Sequence, residues 1–265
     1  MRVRTLQLFA AALAVVAALG VSIAVKSAPP SAAQSAAPVR NIVLVHGAFA
    51  DGSSWAKVIP LLQAKGYNVV AVQNPLTSLA DDVAVTKRVI AAQNGPVILA
   101  GHSWAGMVIS EAGNDPKVVG LVYVAALIPG KGQNAKDAQK GYPPAPGLAQ
   151  AKPDAAGYLS LTRQGVDEDF VPDLPPAERA VVYATQGPWN SAALKDKVTN
   201  PAWATKPSWS IVVNDRMISP QFERDAAKRI HATTTTLKTN HVAMLSMPKE
   251  VANVIIDAAT KAAKK

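Results

Sequence analysis

The chain has no cysteine among its 265 residues, which excludes a disulfide framework, a thiol nucleophile and any zinc site built on thiolates. Aromatic residues make up only 5% and do not interleave with the basic ones. The excess of 27 Lys and Arg over 18 Asp and Glu therefore reads as a solvated surface and not as a nucleic-acid interface. Histidine is scarce: His46, His102, His231 and His241 are the four places where an imidazole can act as a base. No internal repeat is found, so the chain must build one core from non-repeating elements.

The opening residues are of a different kind. Arg2 and Arg4 precede an apolar run from Leu6 to Val25, followed by the small-residue stretch KSAPPSAAQSAAP. Basic, then apolar, then small residues is the order of a secretory signal peptide, with cleavage points after Ala33 or Ala37. An uncleaved anchor is the alternative, disfavoured by the alanine content of the run. Residues 1–37 are assigned to signal peptide and linker and 38–265 to one domain, expected to be secreted or periplasmic and free of the membrane after cleavage.

From Asn41 onward, short apolar runs alternate with longer runs of helical period. Strands are expected at NIVLV, YNVVAVQ, Pro96–Ala100, Val118–Ala125, Ser208–Val213 and Thr233–Lys238. Helices are expected at Trp55–Lys65, from Ser78 (a capping residue with Asp81) to Gln93, after Ser103, at Pro220–Ile230 and at Pro248–Ala263. Strands this continuously apolar are buried on both faces, and strands separated by helices pair in parallel. The fold class is α/β, a parallel sheet with helices on both faces. Between Pro129 and Pro207 the pattern lapses into Pro- and Gly-rich pieces, with weak helical stretches near Gly157–Gln164 and Pro176–Thr185. So long a loop is read as a cap over the carboxyl ends of the strands, with Trp189, Trp203, Leu159, Phe170 and Val181 as its apolar underside.

The run PVILAGHSWAGMVIS places Ser103 between a strand and a helix. A serine on so tight a turn is held in a strained conformation with its hydroxyl exposed beside the first amides of the helix, the nucleophile elbow of an α/β-hydrolase. The pattern G-x-S-x-G is met with Ala105 in its last position and Gly106 one step later. In that fold the acid and the base follow the serine, each in a loop beyond a late strand. Asp215 and His241 stand in those places. A serine hydroxyl needs a base to take its proton, and the imidazole needs a carboxylate to hold its tautomer. His231 ends a helix, and His46 and His102 sit inside glycine motifs where packing accounts for them. Among other carboxylates, Asp225 lies on a helix and Asp173 and Asp196 in the cap. A second motif, His46-Gly47-Ala48, follows the first strand, and the backbone amides of Ala48 and Trp104 are assigned as the oxyanion hole.

The segments VLVHGAFADGSSW, GHSWAG, SWSIVVNDRMISPQF and NHVAMLSMP together resemble the small α/β-hydrolases related to plant methylesterases and hydroxynitrile lyases, and their secreted bacterial relatives. The resemblance covers Asn41 to the last helix. It implies a sheet of six parallel strands with the cap inserted after the fourth, Ser103, His241 and Asp215 as triad, and Ala48 and Trp104 as oxyanion hole. It does not fix a substrate; the first reading is a serine esterase acting on a small-molecule carboxylic ester, with no cofactor or metal expected and the oligomeric state open. A non-catalytic ligand-binding protein on the same fold is the alternative. The lyases of this resemblance carry threonine at the position of Gly47 and lysine after the histidine, where this chain has Val242, so cyanohydrin cleavage is not expected. Trp104, Val242 and Met244 are expected to line an apolar pocket, with core packing an equal reading for Met244.

Overall fold

Every residue of Asn41–Val45 and Val97–His102 is buried, as two-sided burial of central parallel strands requires. The computed structural model describes residues 38–262, and the expected leader lies outside the described residues. The first half of the described chain runs β1 Asn41–Val45, α1 Ile59–Gln63, β2 Asn68–Val72, α2 Leu79–Ala91, β3 Val97–His102, α3 Ala105–Ala112 and β4 Val118–Val124. The segment after β4 adds α4 Ala135–Ala138, β5 Ala151–Pro153, β6 Tyr158–Leu161, a single turn α5 Arg163–Gly165, α6 Pro176–Thr185 and β7 Trp189–Asn190. The chain then returns through β8 Ser208–Val212, α7 Pro220–Arg229, β9 Thr233–Thr236, α8 Ala243–Ser246 and α9 Pro248–Ala262.

Six strands form one parallel sheet in the order β2-β1-β3-β4-β8-β9. The threonine run of β9 stays mostly exposed because it forms one edge. From β1 the chain steps outward to β2 and then back across to β3, so right-handed crossovers put α1 and α2 on opposite faces. Consistent with this, α2 packs with α3 while α1 packs with α9. The reversal of direction at β1 opens a crevice beyond the carboxyl ends of β1 and β3, where such sheets bind ligands.

Two expected elements differ. Trp55–Lys65 is not one helix: a 3-10 turn at Gly52–Trp55, capped by Asp51, precedes a short α1 that ends at Gln63, and the chain then turns through Gly66 with φ +81°. Gly157–Gln164 is not helical either. The Asp154 carboxylate accepts the amides of Ala156 and Tyr158 at 2.8 and 2.9 Å, closing a tight turn through Gly157 (φ +84°) into the hairpin β5-β6, which β7 extends to three strands. Pro176–Thr185 is helical as expected, but Val181, counted among the groups that cover the body, remains exposed on it.

Candidate active site

Four of the five described non-glycine residues with left-handed backbone, Phe49, Leu76, Ser103 and Ala125, follow the carboxyl ends of β1, β2, β3 and β4 in turn. Such a conformation costs roughly 1 kcal/mol or more at a residue with a Cβ and persists only where its surroundings enforce it. At Ser103, φ is +55°, and its carbonyl accepts the amides of Gly106 at 3.0 Å and Leu127 at 3.1 Å. The close approach that demands glycine is made at Gly106, where a Cβ would stand 1.9 Å from the Leu127 carbonyl oxygen. The small residue of the sequence pattern is thus required one position later than usual, and Ala105 is accommodated, fully buried. Gly101 lets α3 cross β3, since a Cβ there would meet the Ala105 carbonyl oxygen at 2.8 Å.

The loop after β1 is pressed onto this turn. A Cβ on Gly47 would lie 2.6 Å from the Ser103 Cβ, so a residue with a side chain there would push the two loops apart. His46 holds the loop: its Nδ1–H donates to the Gly47 carbonyl at 2.9 Å and its Nε2 accepts the Asn74 amide at 2.8 Å. Both bonds require the neutral ring, and burial pushes its pKa down. Among the described residues, the amides of Ala48 and Trp104 donate to no protein acceptor. Trp104 follows Ser103 at the start of α3, Ala48 comes from the loop after β1, and both line one cavity with Ser103.

His241 and Asp215 are brought together by the loops after β9 and β8. Nδ1–H of His241 donates to Asp215 Oδ2 at 2.6 Å, and both side chains are essentially fully buried. The other oxygen, Oδ1, accepts the amides of Met217 at 2.6 Å and Ile218 at 3.1 Å. Burial raises the Asp215 carboxyl, but His241, Glu223 and the Met217 amide outweigh it and hold its pKa below the usual range. Nε2 of His241 has no partner and is left free to accept a proton. The elbow and the His241 loop meet at His102, whose Nε2–H donates to the His241 carbonyl at 3.0 Å with the ring centroids 4.6 Å apart. Burial and the adjacent His241 drive the His102 pKa well down, so it serves as a neutral strut. Asp173, Asp196 and Asp225 do not reach His241; His231 is exposed at the end of α7.

Around these groups stand Phe49, Trp104, Phe170 and Trp189, joined by ring contacts from 5.0 to 6.5 Å, with Phe170 5.4 Å from the His241 ring. The Trp104 indole is fixed by its N–H to Asp82 Oδ2 at 2.8 Å, while Oδ1 accepts the Leu76 amide at 2.9 Å. Burial pushes Asp82 up to about 6. Ser103 and Trp104 line a cavity of about 40 Å³ that shares Ala135, Gln139, Leu148, Leu194 and Met217 with an outer vestibule of about 850 Å³. On the other side of Phe49, an apolar groove of about 300 Å³ runs past Phe170, Val182, Val242 and Leu245. Of the three expected pocket residues, Trp104 and Val242 line these spaces, and Met244 belongs to the core with no exposure.

Glu223 and Asp82 were not singled out by sequence reasoning. Both were detectable as carboxylates on the apolar face of a helix: Glu223 lies in line with Ala226, Ala227 and Ile230, and Asp82 with Leu79 and Thr86. Among the described residues no group of three or more His, Asp or Glu side chains is placed to hold a metal.

A model of the alpha/beta hydrolase family matches residues 42–254, spanning the sheet and every group described above. The chain belongs to the alpha/beta hydrolase family. This hydrolase is 28% identical over 256 residues to a pyrethroid hydrolase of Sphingobium wenxiniae, covering 83% of this chain and 87% of the relative. It is 30% identical over 119 residues to salicylic acid-binding protein 2 of Nicotiana tabacum, covering 36% of this chain and 43% of that one. Among solved structures, polyneuridine aldehyde esterase superposes with a TM-score of 0.72 at 20% identity, over 82% of this chain and 98% of that one, which speaks for the fold.

Proposed function

We propose that this hydrolase is a serine esterase that cleaves small carboxylic esters through Ser103, His241 and Asp215. The observation that carries the reading is the state of His241: Nδ1 is bound to a buried, ionised Asp215, and Nε2 is bare. An imidazole so oriented is a base with one direction to act in. Ser103 Oγ attacks the ester carbonyl carbon as His241 Nε2 takes its proton. The oxygen of the tetrahedral intermediate gains negative charge opposite the amides of Ala48 and Trp104. When the C–O bond to the alcohol breaks, His241 returns the proton to the leaving oxygen, and an acyl group remains on Ser103. Water, deprotonated by the same nitrogen, then repeats the sequence and frees the acid. Gly47 supports this assignment, because any side chain there would force the Ala48 amide away from Ser103.

The cavity sizes support a substrate with one short arm. About 40 Å³ at Ser103 is room for a few water-sized groups, as in a short acyl chain, whereas the 850 Å³ vestibule accepts a larger alcohol. The relative named a pyrethroid hydrolase and the structural neighbour named an esterase favour ester cleavage, and a pyrethroid ester belongs in the substrate panel. The apolar Val242 beside His241 disfavours release of a cyanide anion. The test is turnover of p-nitrophenyl acetate, butyrate and laurate and of a pyrethroid, with mandelonitrile in parallel. Faster acetate and butyrate cleavage that Ser103→Ala abolishes is expected. Cyanide release without ester cleavage overturns the esterase reading, and silence on both points to the ligand-binding alternative. Export is part of the proposal: residues 1–37 act as a cleaved signal peptide, to be checked by the N-terminal sequence of the protein recovered from the periplasm or medium.

A further inference from the structure

The buried carboxyl of Glu223 is outside the chemistry described above, yet it touches it. Glu223 points inward from the first turn of α7 with 2% of its surface exposed. Its Oε2 accepts the Val213 amide at 3.2 Å, and its Oε1 is buried without a hydrogen-bond partner. Its bond to Val213, two residues before Asp215, sets the Glu223 carboxyl beside the Asp215 carboxylate, and each acts on the other. Two carboxylates so placed, shielded from water, cannot both be ionised, so one proton must lie between them. The donor count decides where the charge rests. Asp215 receives three N–H bonds, from Met217, Ile218 and His241, against the single one at Glu223.

We propose that Glu223 is a positioning residue that stays protonated at neutral pH and donates its O–H to Asp215. The loop amides already hold Oδ1 of Asp215 and His241 holds Oδ2, and the further bond from Glu223 resists rotation of the carboxylate on which the His241 tautomer depends. The groups facing Glu223 are consistent with this state. Burial comes first and Asp215 second in pushing its pKa well above the usual range, whereas the Val213 amide, Arg224 and the amino end of α7 act the other way. His241 and His102 act on the pair through Asp215.

The proposal rests on the reading of Asp215 as the acid of the site, and its test has one arm that does not need turnover. In the first arm, the thermal midpoints of the wild-type chain and E223Q are compared across about pH 5 to 8. The native state keeps a proton on Glu223 that the unfolded chain gives up above its ordinary range, so wild-type stability falls as pH rises toward the folded pKa. Gln carries a permanent N–H donor of the same shape and has nothing to ionise. The midpoint of E223Q is therefore expected to gain on the wild type steadily as pH rises; a gap that does not change with pH overturns the protonated state.

In the second arm, p-nitrophenyl butyrate kinetics are followed for wild type, E223Q and E223M. Loss of the donor in E223M is expected to lower kcat about 10- to 100-fold with KM within about twofold, the scale of a buried charged group losing a partner, and E223Q is expected to rescue most of it. Wild-type kcat in E223M overturns the positioning role, and so does E223Q falling as far as E223M. If the wild type cleaves no ester, the esterase reading fails, and the melting comparison still decides the proton on Glu223.

Discussion

The sheet and the cap above it reach the same site by different means. Within the sheet, Ser103, Asp215 and His241 are placed by regular structure: each follows a parallel strand, and the strands set their spacing. The cap has little regular structure and is tied down point by point, at the very loops that carry those residues. Asp169 pairs with Arg216 at 2.6 Å, next to Asp215, and the Gly147 amide donates to the Arg216 carbonyl at 2.8 Å. Asp173 accepts the Thr239 hydroxyl and the Asn240 amide, just before His241. Asp196 accepts the Leu79 amide at 2.9 Å, at the start of the helix that carries Asp82 and so holds Trp104. A scaffold of hydrogen-bonded strands tolerates a surface change far from the site. A cap held through single carboxylates does not, because Asp169 and Asp173 each tie down a loop that carries Asp215 or His241.

The sharpest way to break the comparison is inside the sheet. Ser103→Ala is expected to remove ester turnover by about six orders of magnitude, as loss of the serine does in a protease triad, with the thermal midpoint close to wild type. A fluorophosphonate that labels the wild type should leave this variant unlabelled. Asp215→Asn comes next. By the same analogy it should lower kcat by about 10⁴, since an amide in this place offers His241 Nδ1–H a donor as easily as an acceptor. If Asp215→Asn retains most of the activity while Asp173→Asn loses it, the division of labour between sheet and cap is reversed.

What was legible in the sequence follows the same division. The strands were visible because two-sided burial writes continuous apolar runs such as NIVLV, and Ser103 because a strand, a glycine and a helix meet there within a few residues. His241 and Asp215 followed from their order behind late strands. The turn at Asp154–Gly157 was not read as the hairpin it forms, because its strands are short and β5 is a mostly exposed Ala-Lys-Pro with no apolar alternation. Left-handed backbone at Phe49, Leu76 and Ala125 has no signature in residue type, since none of the three is a residue that favours it. Glu223 and Asp82 did leave a trace, as charges on apolar helix faces, but only the tertiary contact with Asp215 or Trp104 gives that trace a meaning.

Within the cap, Asp173→Ala sharpens the comparison most. It removes an acceptor from the Thr239 hydroxyl and the Asn240 amide and leaves the fold of the sheet intact. The expected cost is about 1–2 kcal/mol of stability, the scale of one or two hydrogen bonds to a charged group. Its kcat is expected to fall more than a surface change of equal stability cost makes it fall, because the freed segment carries His241. The comparison fails if kcat and KM both stay at wild-type values while the thermal midpoint drops.

The smallest effect belongs to a contact that also joins cap and body but touches no loop of the site. Lys57, just before α1, meets Glu178 of α6 at 2.6 Å across the apolar groove, with both side chains about two-fifths exposed. A pair so open to water gains little, since solvent screens its attraction and two long side chains lose freedom to form it. Lys57→Met is therefore expected to change stability by less than about 1 kcal/mol, and the change should shrink further in high salt. Turnover of p-nitrophenyl acetate, which is short enough for the cavity at Ser103, should be unaffected. Longer or bulkier esters that reach the groove past Phe49 are a different case. For them the pair is a polar bar over an apolar floor, and Lys57→Met replaces it with an apolar side chain. A lower KM for those esters, with acetate unchanged, is the expected outcome in steady-state kinetics. If KM changes equally for short and long esters, the groove under α6 takes no part of a long ester, and the vestibule beside Leu148 and Met217, proposed above for a larger alcohol, is enough to hold its long arm.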